Sequence, residues 1–66
     1  MGEKEDFKTI LAHYVHHSKD HAGEFSEMAD KARGLGEAAI ADAIMKGVEQ
    51  TKVATEQFEA ALKLLD

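Results

Sequence analysis

The chain has 66 residues, a net charge of −5, and no cysteine, proline or tryptophan. These values exclude disulfides and thiolate metal sites, and the acidic balance argues against nucleic acid and anionic lipid as partners. The length allows a single domain, residues 1–66, and a folded chain of this size still exposes about 40% of its unfolded surface. Domains with so small a core are often supplemented by oligomerisation or by a metal.

The N-terminal residues 1–6 are acidic and contain no apolar signal segment. No apolar run approaches the roughly 20 residues of a membrane span. The sequence therefore predicts a cytoplasmic protein that does not bind membranes.

Two long helices are predicted in chain order, because the chain lacks proline and is rich in alanine, glutamate, lysine and leucine. The strongest break is Gly34-Leu35-Gly36, which predicts a first helix over about 4–33, a turn at 34–36 and a second helix over about 37–65. Gly34 is expected in the left-handed position that ends a helix, and Gly36 at the next N-cap. So short a turn makes the helices antiparallel, and the predicted fold class is an all-α two-helix hairpin.

Each half carries an apolar heptad pattern, which predicts the face that packs on the other helix. In the first helix the pattern comprises Phe7, Leu11, Tyr14, Ser18, His21, Phe25, Met28 and Ala32. In the second helix it comprises Ala41, Ile44, Val48, Thr51, Thr55, Phe58, Leu62 and Leu65. Folding the chain at Leu35 places Tyr14 level with Thr55. The apolar stripe is wider than one helix pair covers, so we expect a homo-oligomer, most simply a homodimer that forms a four-helix bundle.

Three histidines, His13, His17 and His21, are spaced four residues apart and lie along one stripe of the first helix. Two imidazoles at this spacing can bind one divalent ion at about 2.0–2.1 Å. Glu24 continues the same flank and offers a carboxylate, whereas His16 points to the polar face. The pattern predicts a metal site formed by His13, His17, His21 and Glu24, with zinc, nickel or cobalt as the ion.

Residues 11–25 read LAHYVHHSKDHAGEF. They resemble a family of small bacterial and archaeal helical domains of unknown function, whose pattern is Leu-Ala-His-Trp-x-x-His-Asn-x-x-His-Ala-x-x-Phe. The match covers about the first third of the chain, and Tyr14 and Ser18 stand where the family usually has Trp and Asn. The resemblance implies a helical hairpin with a histidine stripe and supplies no function.

Three functional interpretations follow from this stripe. The first is a small non-enzymatic protein that binds a divalent transition metal. The second is a metal-free oligomerisation or adaptor module whose polar histidine layer fixes the register of the helices. Under this interpretation a different protein is an alternative partner. The third, compatible with the second, is an interface that responds to histidine protonation. We expect no catalysis, because the chain has no cysteine nucleophile, no phosphate-binding loop and no length for a substrate cleft.

Overall fold

A computed structural model describes residues 2–66; Met1, the first residue of the predicted domain, lies outside them. Helix α1 spans Glu3–Gly34 and helix α2 spans Ala38–Lys63, and the two pack along each other as a rod with Cα extents of 53 × 15 × 11 Å. The all-α hairpin predicted from the sequence is confirmed. Within residues 2–66 there is no strand, and neither helix is long and apolar enough to cross a membrane.

The turn ends α1 with a Schellman motif, in which two backbone N–H groups beyond the helix satisfy its last carbonyls. The N–H of Gly36 donates to the carbonyl of Arg33 at 3.0 Å, and the N–H of Glu37 donates to that of Ala32 at 2.9 Å. Gly36 has a φ of +81°, the left-handed conformation that this motif requires. The expectation for Gly34 is therefore wrong.

Gly34 is instead the last residue of α1, and Glu37 rather than Gly36 stands at the N-cap of α2. Both Gly34 and Gly36 can adopt a left-handed conformation, but only Gly36 does so, and Gly34 remains helical. The hairpin is consequently centred between Gly36 and Glu37, about two residues later than the pairing of Tyr14 with Thr55 predicts.

Small side chains separate the two helices. The buried residues are Val15, Ala22, Ala29 and Ala32 of α1 and Ala41, Val48 and Thr55 of α2. Ala29 and Ala41 are completely covered, and Ile44 and Met45 pack against this alanine cluster near the turn. A contact built from alanine lets the two helices approach closely, but it buries little apolar area.

The predicted packing face of α1 is wrong at its large residues, since Phe7, Tyr14 and Phe25 are exposed. The observed face is rotated by about one position, onto Val15 and Ala22. Small residues allow the close approach of two helix axes, whereas a row of aromatic rings would hold them apart. The face predicted for α2 agrees better, because its members Ala41, Val48 and Thr55 are all buried.

The register of the two helices also differs from the prediction. Ser18, rather than Tyr14, lies level with Thr55, and their hydroxyl oxygens are 2.7 Å apart. The shift follows from the later centre of the turn.

The open end of the hairpin is joined by an ion pair between Lys8 and Asp66, and this carboxylate raises the pKa of Lys8 above its ordinary value.

Candidate functional site

Seven of the ten large apolar side chains within residues 2–66 that the helix pair leaves exposed gather on one side of the hairpin. Tyr14 and Phe25 are eleven residues apart, about three helical turns, so they project in the same direction from α1; Gly47 and Phe58 have the same relation in α2. Tyr14 and Phe58 line one groove between the helices, and Phe25 and Gly47 line another. We call this surface the apolar side; its large side chains are 49–67% exposed and comprise Phe7, Ile10, Tyr14, Phe25, Met28, Ile40 and Phe58.

The heptad pattern did not include two members of the apolar side, Ile10 of α1 and Ile40 of α2. Ile40 precedes Phe58 by eighteen residues, about five helical turns, and this spacing is the signal that places both on one side of α2. The groove on the opposite side of the hairpin is bordered by charged residues, among them Lys19, Lys52 and Glu59. The Nζ atom of Lys19 lies 2.7 Å from the Oε2 atom of Glu59. The hairpin therefore has one apolar side and one charged side.

The histidine stripe, His13, His17 and His21, runs along the edge of the apolar side. His21 is seven residues from both Tyr14 and Met28, about two helical turns, and so projects on the same side as they do. His17 lies near this edge and His13 lies further round the helix. The ring centroids of His13 and His17 are 4.3 Å apart, and those of His17 and His21 are 6.2 Å apart.

Carboxylates accompany two of the histidines. The Nδ1 atom of His21 lies 3.4 Å from the Oε2 atom of Glu24, and the side chains of both residues are exposed. His16 makes a similar pair with Asp20, with 3.4 Å between Nε2 and Oδ2, away from the histidine stripe. Glu24 is therefore placed to orient the ring of His21 and leave its Nε2 atom free for a ligand.

The four residues predicted to bind metal do not converge on one point. No group of three or more histidine, aspartate or glutamate side chains within residues 2–66 is arranged to hold an ion. His21, which the heptad pattern placed between the helices, is exposed instead, because the packing face of α1 passes through Ala22. One hairpin thus presents a row of imidazoles rather than a closed coordination shell, and metal binding stays a prediction.

The polar layer predicted in the middle of the hairpin is formed by hydroxyl groups. Thr55 donates to the carbonyl of Thr51 at 2.8 Å, and Thr51 donates to the carbonyl of Gly47 at 2.9 Å. Because the single hydroxyl proton of Thr55 is used in this way, the hydroxyl of Ser18 donates to Thr55. No buried side-chain nitrogen or oxygen in the described part of the chain lacks a partner. This layer is satisfied without the histidines.

Comparison with known proteins identifies a family but no activity. No curated protein and no solved structure gives a significant match to the chain. The model of the family described as "Domain of unknown function (DUF8180)" matches residues 7–65, which include both helices almost entirely and all of the histidine stripe. The chain belongs to this family of small domains of unknown function.

Proposed function

We propose that this chain is a non-enzymatic, self-associating helical module, in which two hairpins pack through their apolar sides into a homodimeric four-helix bundle. The observation that carries the proposal is the gathering of large exposed apolar residues from both helices on one side. Phe25 of α1 and Phe58 of α2 are each about half exposed there, although the helix pair itself buries mainly alanine and valine. Such a surface is typical of a protein interface.

The surface area of the hairpin supports a second copy as the partner. The single chain exposes 5222 Å², whereas a compact protein of its mass exposes about 4,100 Å². A compact protein of twice the mass exposes about 6,800 Å², so compact dimerisation would cover about 3,600 Å² of the surface of two separate hairpins. A standard protein interface buries about 1,600 Å² in total. The hairpin therefore has ample area for a stable dimer.

Sedimentation velocity tests this proposal with a matched pair of variants. Phe58→Glu places a charge on the apolar side, and Val53→Glu places one at a residue of similar exposure that lies five positions earlier and points elsewhere. We expect the parent and Val53→Glu to be dimers and Phe58→Glu to shift towards monomer. The melting temperature of the parent should also rise with protein concentration. A parent that stays monomeric at high micromolar concentration contradicts the proposal.

We propose, as a second function, that the histidine stripe binds a divalent transition metal through its imidazoles, with Glu24 as ligand or ring-orienting partner. Two observations support it: the successive rings of the stripe have centroids 4.3 and 6.2 Å apart, and the carboxylate of Glu24 lies beside Nδ1 of His21. Imidazole suits zinc, nickel and cobalt, and the chain has no thiolate to compete with it.

Calorimetric titration of metal-stripped protein with Zn²⁺, Ni²⁺ and Co²⁺ tests metal binding. We expect saturable heat in the parent and its loss in His17→Ala, the histidine in the centre of the stripe. His16→Ala is the matched control, because it removes an exposed imidazole of the same helix that lies off the stripe. The absence of saturable heat in the parent at micromolar metal contradicts this second function.

A further inference from the structure

A single hairpin offers too few convergent ligands for a metal site of the zinc class. Structural zinc sites are tetrahedral and take four ligands. The histidine stripe places only neighbouring pairs of rings near each other, and nothing in residues 2–66 adds a third group. A complete four-ligand site therefore needs further ligands from a second molecule that packs beside the histidine stripe.

The position of His17 and His21 around α1 points to the proposed dimer interface. His21 is in line with Tyr14 and Met28 on the apolar side, and His17 is eleven residues before Met28. All three histidines of the stripe are exposed in the single hairpin. A second hairpin packed on the apolar side would therefore lie next to His17 and His21, whereas His13 lies further from it.

The position of His17 and His21 along α1 also points to the proposed dimer interface. The helix spans Glu3–Gly34, so its midpoint falls between His17 and His21. If two rods meet along their full length with their turns at opposite ends, the two-fold axis passes near this midpoint. The α1 helices are then adjacent and antiparallel, and the His17–His21 pair of one chain faces the same pair of the other.

The charged group that faces the site from α1 itself is Glu24, 3.4 Å from Nδ1 of His21. A carboxylate at Nδ1 orients an imidazole so that its Nε2 atom binds metal, and it increases the basicity of the ligand.

We propose that one divalent cation of the zinc class binds at the two-fold axis of the dimer, held by His17 and His21 of one chain and by the partner's His17 and the partner's His21. This inference rests on the proposed self-association and assigns the metal to the interface between the hairpins. Four neutral imidazoles complete a tetrahedral shell and need no other ligand. His13 is not a ligand of this site, and the ion links the two chains.

Zinc chloride is the probe for the test, with sedimentation and calorimetry as the two measurements. We expect one Zn²⁺ per two chains, and a dimer dissociation constant lowered about tenfold when zinc is at roughly ten times its own dissociation constant. His17→Ala and His21→Ala should remain dimers without zinc and lose the zinc-dependent tightening. His13→Ala and His16→Ala should keep both the stoichiometry and the tightening.

The outcomes separate this inference from the self-association on which it rests. A parent that dimerises without zinc but binds none, or binds one ion per chain with no effect on the dimer, overturns the shared site and leaves the dimer standing. Equal loss in His13→Ala and His17→Ala also overturns it. A parent that is monomeric with and without zinc overturns both. Dimerisation that appears only with zinc, and not in His17→Ala, supports the shared site.

Discussion

The hydroxyl groups of Ser18 and Thr55 lie 2.7 Å apart across the two helices, at the centre of the hairpin. Thr55 is the one buried polar residue within residues 2–66, and its own proton is donated to the carbonyl of Thr51. The contact favours the observed register, because a shift of either helix would take the acceptor away from the half-buried hydroxyl of Ser18. Hydroxyl groups thus contribute to the register of the hairpin.

Thr55→Val should destabilise the hairpin by about 1 kcal/mol, since it removes the acceptor of the half-buried Ser18 hydroxyl while nearly preserving the side-chain volume. The double variant Ser18→Ala/Thr55→Val should lie closer to the parent than the two single variants predict, because it removes both partners. Urea unfolding of the four proteins measures the coupling. Strictly additive effects would contradict the hydrogen bond.

Two glycines with opposite backbone requirements provide a second prediction. Gly36 has a φ of +81°, so Gly36→Ala should destabilise the protein by about 1–2 kcal/mol, the cost of a left-handed residue with a side chain. Gly23 lies within α1, and a Cβ atom added to it would meet nothing within 4 Å, so Gly23→Ala should stabilise the helix by about 1 kcal/mol. Thermal unfolding followed by circular dichroism measures both, and a loss of stability in Gly23→Ala would contradict this account.

The helices and their order could be predicted from the sequence because the signals are local. Helix-favouring composition, the absence of proline and one glycine pair are enough for a hairpin. Local sequence does not decide whether Gly34 or Gly36 takes the left-handed position that ends α1, since both can adopt that conformation. That choice depends on where α1 stops packing against α2, and the sequence pattern does not contain this information.

The packing face of α1 could not be predicted because two neighbouring stripes are both apolar. One carries large side chains such as Tyr14 and Phe25, and the other carries small ones such as Ala22 and Ala29. The heptad pattern gave weight to size, whereas a close helix pair requires small residues. The histidine stripe itself was evident from spacing, but the exposure of His21 depends on which face packs.

The ion pair of Lys8 and Asp66 predicts a small dependence of stability on alkaline pH. Asp66 raises the pKa of Lys8 above its ordinary value of 10.5, so the charged lysine is favoured in the folded protein. The stabilisation is fully present below that value and is lost as the pH rises through the higher pKa of the folded state. The stability difference between the parent and Lys8→Gln should therefore shrink above pH 11 relative to pH 8, in urea unfolding at both values. A difference that stays constant would contradict the contribution of this pair.

The alanine contact near the turn provides the last prediction. Ala41 is fully covered and packs with Ala29 and Ala32, so Ala41→Leu must push the helices apart or adopt a strained rotamer. We expect a loss of about 1–3 kcal/mol, typical of an overfilled core. Ala39→Leu is the matched control, because Ala39 lies in the same helix, is exposed and undergoes nearly the same change in helix propensity. Unfolding in urea should show the loss in Ala41→Leu alone, whereas equal stability of the two variants would mean that α2 packs on α1 through another face.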